Sequence, residues 1–77
     1  MTIKTDYQLE DFPISMIIEA IISDKLYEIT TGEAYEIIRV AKRESGLSII
    51  YINDKGAEQT KLVNHPVYSF DRYFRIC

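Results

Sequence analysis

The sequence contains no tryptophan, one cysteine, one histidine, two prolines and three glycines in 77 residues. With Cys77 alone, no disulfide forms within the chain and a cysteine-based metal site is excluded. His65, as the only imidazole, leaves a structural zinc site without a ligand set. A single thiol suits a reducing compartment, so the expected location is the cytoplasm. An excess of one charge is also missing. Nine basic and twelve acidic residues give a net charge of -3, which lacks the basic surplus of a strong polyphosphate binder. Both signs are interspersed, so the chain does not read as an acidic mimic of DNA either. No apolar run approaches the roughly 20 residues of a transmembrane helix. The first residues do not follow the basic-then-apolar pattern of a signal peptide. Gly32, Gly46 and Gly56 lie too far apart for a glycine-rich phosphate loop.

What is present is a core-forming composition, 47% hydrophobic and 27% charged, too apolar for a disordered chain. The length allows one domain. A domain of this size buries roughly 60% of its unfolded surface, so large catalytic clefts are not expected. A hydrolytic triad needs a nucleophile, a base and an orienting acid held together. His65 sits between Asn64 and Pro66 in an expected loop, Cys77 has no base beside it in sequence, and Glu10-Asp11 and Glu33/Glu36 are not grouped around a cleft. The expectation is no enzyme, no cofactor and no metal.

Along the chain, residues 1–13 are weakly patterned, and Pro13 discourages a helix through Phe12. Residues 14–22 are apolar around Glu19. Their isoleucines and the Ser23-Asp24-Lys25 break favour a strand, with a helix over 14–26 as the alternative. Thr30-Thr31-Gly32 punctuates the chain before Glu33–Val40, a strand whose apolar residues change phase from Tyr35 and Ile37 to Ile38 and Val40. Such a change marks a bulge or strong bend. Lys42–Gly46 is a polar turn and Leu47–Ile52 a second clear strand. Asn53-Asp54-Lys55-Gly56 suits a type I turn ending in a left-handed glycine. Residues 57–63 form the returning strand, mostly polar, as on a sheet face open to water. Asn64-His65-Pro66 breaks it. The aromatic tail is expected to make one helical turn and then a last strand at 74–76.

The order of these features carries a resemblance. Ile21–Lys25, then Ile29-Thr30-Thr31-Gly32-Glu33-Ala34-Tyr35-Glu36-Ile37, then Ile49–Gly56, then Phe70 and Phe74, resemble the small SH3-like barrel proteins of bacteria and their phages. Those show an opening strand, a Thr-x-Gly-Lys-x-Tyr-Glu-Val element, an Asn/Asp-Asp-x-Gly hairpin and a closing phenylalanine strand. The likeness covers about residues 16–76. Glu33 stands where the pattern often has lysine, and the paired tryptophans of eukaryotic peptide-binding relatives are missing. The resemblance implies an all-β fold: a small SH3-like, partly open barrel of about five strands over 16–77, with residues 1–15 as an N-terminal arm. The alternative fold is α+β, with the 14–26 helix on a three-stranded sheet. The resemblance also implies a phage or prophage accessory protein, acting in the host cytoplasm.

Two surfaces compete for function. The first is the arm, where Tyr7, Leu9 and Phe12 form an apolar series beside Glu10 and Asp11. It is suited to a host protein's sheet edge or groove, unless it folds back to cover the barrel's open end. The second is the tail, where Arg72 and Arg75 interleave with Tyr68 and Tyr73. Stacking rings and phosphate-binding arginines make a nucleic-acid surface, unless the neighbouring Phe70 and Phe74 close the core while the arginines solvate the rim. The expected function is therefore a non-enzymatic binding module that modulates or inhibits a host protein. Nucleic-acid binding is the alternative partner class, self-association through open strand edges a third, and no membrane is expected.

Overall fold

In the computed structural model, residues 4–77 are described, so the first three residues of the expected arm lie outside the described residues. Ile17–Ala20 form strand β1, with Ile18 and Ala20 buried and Ile17 and Glu19 turned away from the core. That is the period of two expected of a β-branched strand with one face buried; residues 14–26 do not form the alternative helix. β1 is followed by a long loop, then β2 (Ala34–Arg43), β3 (Gly46–Ile52) and β4 (Glu58–Leu62). A single helical turn, α1 (Phe70–Tyr73), leads directly into β5 (Phe74–Ile76). All pairings are antiparallel, in one five-stranded sheet of order β4-β3-β2-β1-β5. This is the expected small all-β, partly open barrel: β4 and β5 are its two edges, and the gap between them is bridged by the Phe70 amide, which donates to the Val63 carbonyl at 3.0 Å.

The change of phase in β2 is a bulge. Ile37 pairs with Tyr51 but Arg39 pairs with Ile50, so Ile38 is the extra residue. Before it, Tyr35 and Ile37 face the core; after it, Val40 does, opposite Ile49. Arg39, Ala41 and Arg43 are thereby turned to the outer face. Without the bulge the second half of β2 would present the wrong residues to the core, because a one-residue shift inverts every side chain. The bend that accompanies a bulge also lets one long strand curve around a small barrel.

The Asn53–Gly56 turn has the expected geometry. The Gly56 amide donates to the Asn53 carbonyl at 2.9 Å, and Gly56 has φ of +77°. The turn also holds the loop 21–33. Asp54 accepts from the Tyr35 hydroxyl at 2.6 Å and from the Thr30 hydroxyl at 2.7 Å, and its amide donates to the Glu28 carbonyl at 2.8 Å. The Tyr51 hydroxyl donates to the Tyr27 carbonyl at 2.8 Å, pinning the same loop from beneath.

The returning strand departs from the expectation of a water-facing polar strand at one residue. Lys61 pairs with Ile49 and faces inward, 2% exposed. Its ammonium donates to the Tyr68 carbonyl at 2.6 Å and lies 4.3 Å from the ring centre of Tyr27 and 4.1 Å from that of Tyr73. Among the described residues it forms no ion pair. Two aromatic faces attract a cation, but burial dominates and brings its pKa down to about 8.

Ser69 is also fully buried, and its hydroxyl makes no hydrogen bond among the described residues. A buried hydroxyl without a partner loses its hydration and regains nothing. Ser69→Ala is therefore expected to leave the thermal midpoint unchanged or to raise stability by about 1 kcal/mol. A clear fall in the midpoint would show that the hydroxyl is satisfied after all.

Candidate functional site

The arm folds back over the open end of the barrel. Phe12 is 1% exposed and sits in the core, with ring centres 5.0 Å from Tyr7 and 5.1 Å from Phe70. Asn64 clasps the backbone of Tyr7 from both sides, accepting from its amide at 2.8 Å and donating to its carbonyl at 2.9 Å. The Tyr7 hydroxyl donates to Asp71, and burial, reinforced by that carboxylate, pushes its phenol well above the usual range. A carboxylate acceptor opposes ionisation of the group that donates to it. Of the five arm residues considered as a binding surface, Leu9 and Glu10 are exposed and Asp11 is partly so. The Asp11 side chain accepts from the Gln8 amide at 2.8 Å and closes the 3-10 turn Leu9–Asp11.

The tail residues do not share one surface. Phe70, Phe74 and Tyr73 are buried. The ring of Tyr73 lies against Tyr27 and beneath the Lys61 ammonium, which withdraws it from base stacking. Arg75 projects from the outer face of β5 and is held by Glu19 of β1, with two bonds to one carboxylate oxygen at 2.6 and 2.8 Å. Tyr68 and Arg72 are exposed. Tyr68 stands beside His65, whose Nδ1 accepts from the amides of Val67 and Tyr68 at 3.0 and 3.1 Å. An Nδ1 that accepts two bonds places the neutral ring's proton on Nε2.

A further concavity lies elsewhere, on the outer face of β2, β3 and β4. It is a groove of about 480 Å³. Its floor is Ala41, Ile50 and Leu62, and the hydroxyls of Ser45, Ser48 and Thr60 line it. Ser48 and Ile50 point away from the core, yet they are only 6% and 7% exposed. Part of the cover comes from Arg39, which crosses over β3 to pair with Glu58 of β4. At the other end stands Arg43, beside the two-residue turn Glu44-Ser45. Among the described residues neither Lys42 nor Arg43 forms an ion pair. Arg43 also borders a second hollow, shared with Tyr7 and Leu9 of the arm. The Lys42-Arg43 turn thus meets the arm. Sequence reading missed this groove. Its signal was the outward set Arg39, Ala41, Arg43, Ser48, Ile50, Thr60 and Leu62, which becomes one face only once the bulge and both registers are known.

Among the described residues no cluster of three or more histidine, cysteine or acidic side chains is arranged to hold a metal ion. Among the same residues no helix is long and apolar enough to cross a membrane. Comparison with protein-family models, with curated proteins and with solved structures returned no match.

Proposed function

We propose that this chain is a non-enzymatic binding module, of the phage or prophage accessory kind that its sequence pattern resembles, and that it acts in the host cytoplasm by occupying a surface of a host protein. The observation that carries this reading is the outer face of β2–β4. It combines an aliphatic floor, hydroxyls without partners among the described residues, and an unpaired guanidinium, beside the free edge of β4. Such a surface offers apolar contact, hydrogen bonding and a charge to a partner in one place. The groups from which a catalytic centre would be assembled have structural occupations. His65 organises its own loop, and the Lys61 amine is capped by the Tyr68 carbonyl. A tagged full-length chain, incubated with bacterial host lysate at moderate salt, is expected to retain one specific protein reproducibly. Recovery of none across repeated preparations would end this reading.

A further inference from the structure

We propose that the groove on the outer face of β2, β3 and β4 docks an extended acidic segment of a partner protein, placing a carboxylate on Arg43 and an aliphatic side chain on the partly exposed Ala41 and Leu62. This rests on the binding-module reading and names the chemistry of its partner. Charge complementarity supplies the first argument. Against the chain's net charge of -3 the attraction is local: carboxylates of the chain pair with Lys4, Arg39, Lys55 and Arg75, and among the described residues none pairs with Arg43. Arg43 is left free at the mouth of a concave surface, where a planar guanidinium can hold a carboxylate through two parallel bonds.

The groove is also polarised along its length. At the far end Arg39 is satisfied by Glu58, so an incoming anion gains most at the Arg43 end. Between these ends the floor is aliphatic. Arg43 and Ala41 lie two residues apart on one face of β2, a separation of about 6.6 Å. An extended peptide repeats its side chains at the same interval, so an acid at one position and an aliphatic residue two further on meet Arg43 and the floor together. The hydroxyls of the exposed Ser45 and Thr60 then face the peptide's backbone groups.

The lining also separates a peptide from a nucleic acid. Among the described residues no aromatic ring borders the groove, and single strands bind such small barrels chiefly by stacking bases on rings. One unpaired arginine over an aliphatic floor matches a carboxylate next to a leucine better than a run of phosphates.

A labelled peptide of repeated Glu-Ser-Leu-Ser, titrated into the full-length protein at low salt, tests this by fluorescence anisotropy and amide chemical-shift mapping. Saturable binding is expected, with shifts concentrated at Ser48, Ile50 and Thr60. Arg43→Glu is expected to weaken it by roughly tenfold or more, since reversing a charge at a contact point turns attraction into repulsion. Lys25→Glu, on the distant loop, is expected to change it little. A Lys-Ser-Leu-Ser peptide is expected not to bind. Three results would overturn the proposal: no saturable binding, equal binding by Arg43→Glu, or displacement of the peptide by an equal concentration of oligothymidylate. The two readings fail separately. If wild type and Arg43→Glu retain the same lysate protein equally, the groove is wrong and the module stands; if wild type retains nothing, the module itself is wrong.

Discussion

Phe12→Ala is expected to remove about 3–5 kcal/mol of stability, which for a domain of this length is a large share of what holds it folded. Phe12 lies outside every strand, in a segment that reads as an appendage, yet it is among the most completely buried side chains. Its ring is part of a continuous aromatic stack: Tyr7, Phe12 and Phe70 lie within 5.0–5.5 Å of one another, and Phe70 stacks on Phe74 at 5.6 Å. Truncation to alanine would open a cavity at the end of the barrel and release the arm. The contrast is Leu9→Ala, three residues away and 49% exposed, expected to change stability by less than about 0.5 kcal/mol. Urea denaturation of both variants measures the difference. Deletion of residues 1–13 is expected to do as much damage as Phe12→Ala, and a deletion that folds with undiminished stability would show that the arm is not part of the core.

Stability is expected to rise with pH between about 8 and 9, because of Lys61. An unfolded lysine titrates near 10.5, whereas burial brings Lys61 down to about 8 in the folded protein. Below pH 8 both states carry the proton and the folded state bears the full penalty of a buried cation. Between the two values the unfolded chain binds more protons than the folded one, so raising the pH favours folding. One proton contributes a slope of at most about 1.4 kcal/mol per pH unit. Above about pH 9.5 the tyrosines reverse the trend. Burial pushes Tyr51, Tyr7 and others above their ordinary value, so their ionisation in the unfolded state draws the equilibrium away from the fold. The stability maximum therefore falls at about pH 9–9.5. Lys61→Met keeps an unbranched side chain against Tyr27 and Tyr73 without the charge. It is expected to be more stable than wild type at pH 7, by on the order of 2 kcal/mol, and flat from pH 7 to about 8.5. Denaturation midpoints at pH 7, 8.5 and 9.5 check both statements; a wild-type midpoint that falls steadily over this range would contradict the buried placement of the amine.

The elements of this fold were legible because local chemistry specifies them. The isoleucines of residues 14–22 and the Ser23-Asp24-Lys25 break favour the strand found at Ile17–Ala20. Asn53–Gly56 carries a turn that only a residue tolerant of positive φ completes, and the phase change at Ile38 announces the bulge found there. The helical turn before β5 also lies where the tail's pattern put it. The functional surface was less legible. Tyr68, Arg72, Tyr73 and Arg75 interleave in sequence, but the turn at Phe70–Tyr73 followed by a strand sends them different ways: Tyr73 into the core, Arg75 onto Glu19, and Tyr68 beside His65.

By itself, then, the sequence determined where strands begin, bend and turn, since those depend on residues a few positions apart. Only the tertiary structure decided which polar side chain lies inside, where the arm docks, and that seven residues from three strands share one groove. Lys61 is inward because the β3–β4 register places it opposite Ile49. Phe12 is buried because the barrel leaves an open end that an aromatic ring fills. The groove exists because the bulge at Ile38 turns Arg39, Ala41 and Arg43 outward onto the same face as Ile50 and Leu62. In each case the deciding quantity is a pairing between residues distant along the chain, and no local pattern encodes that.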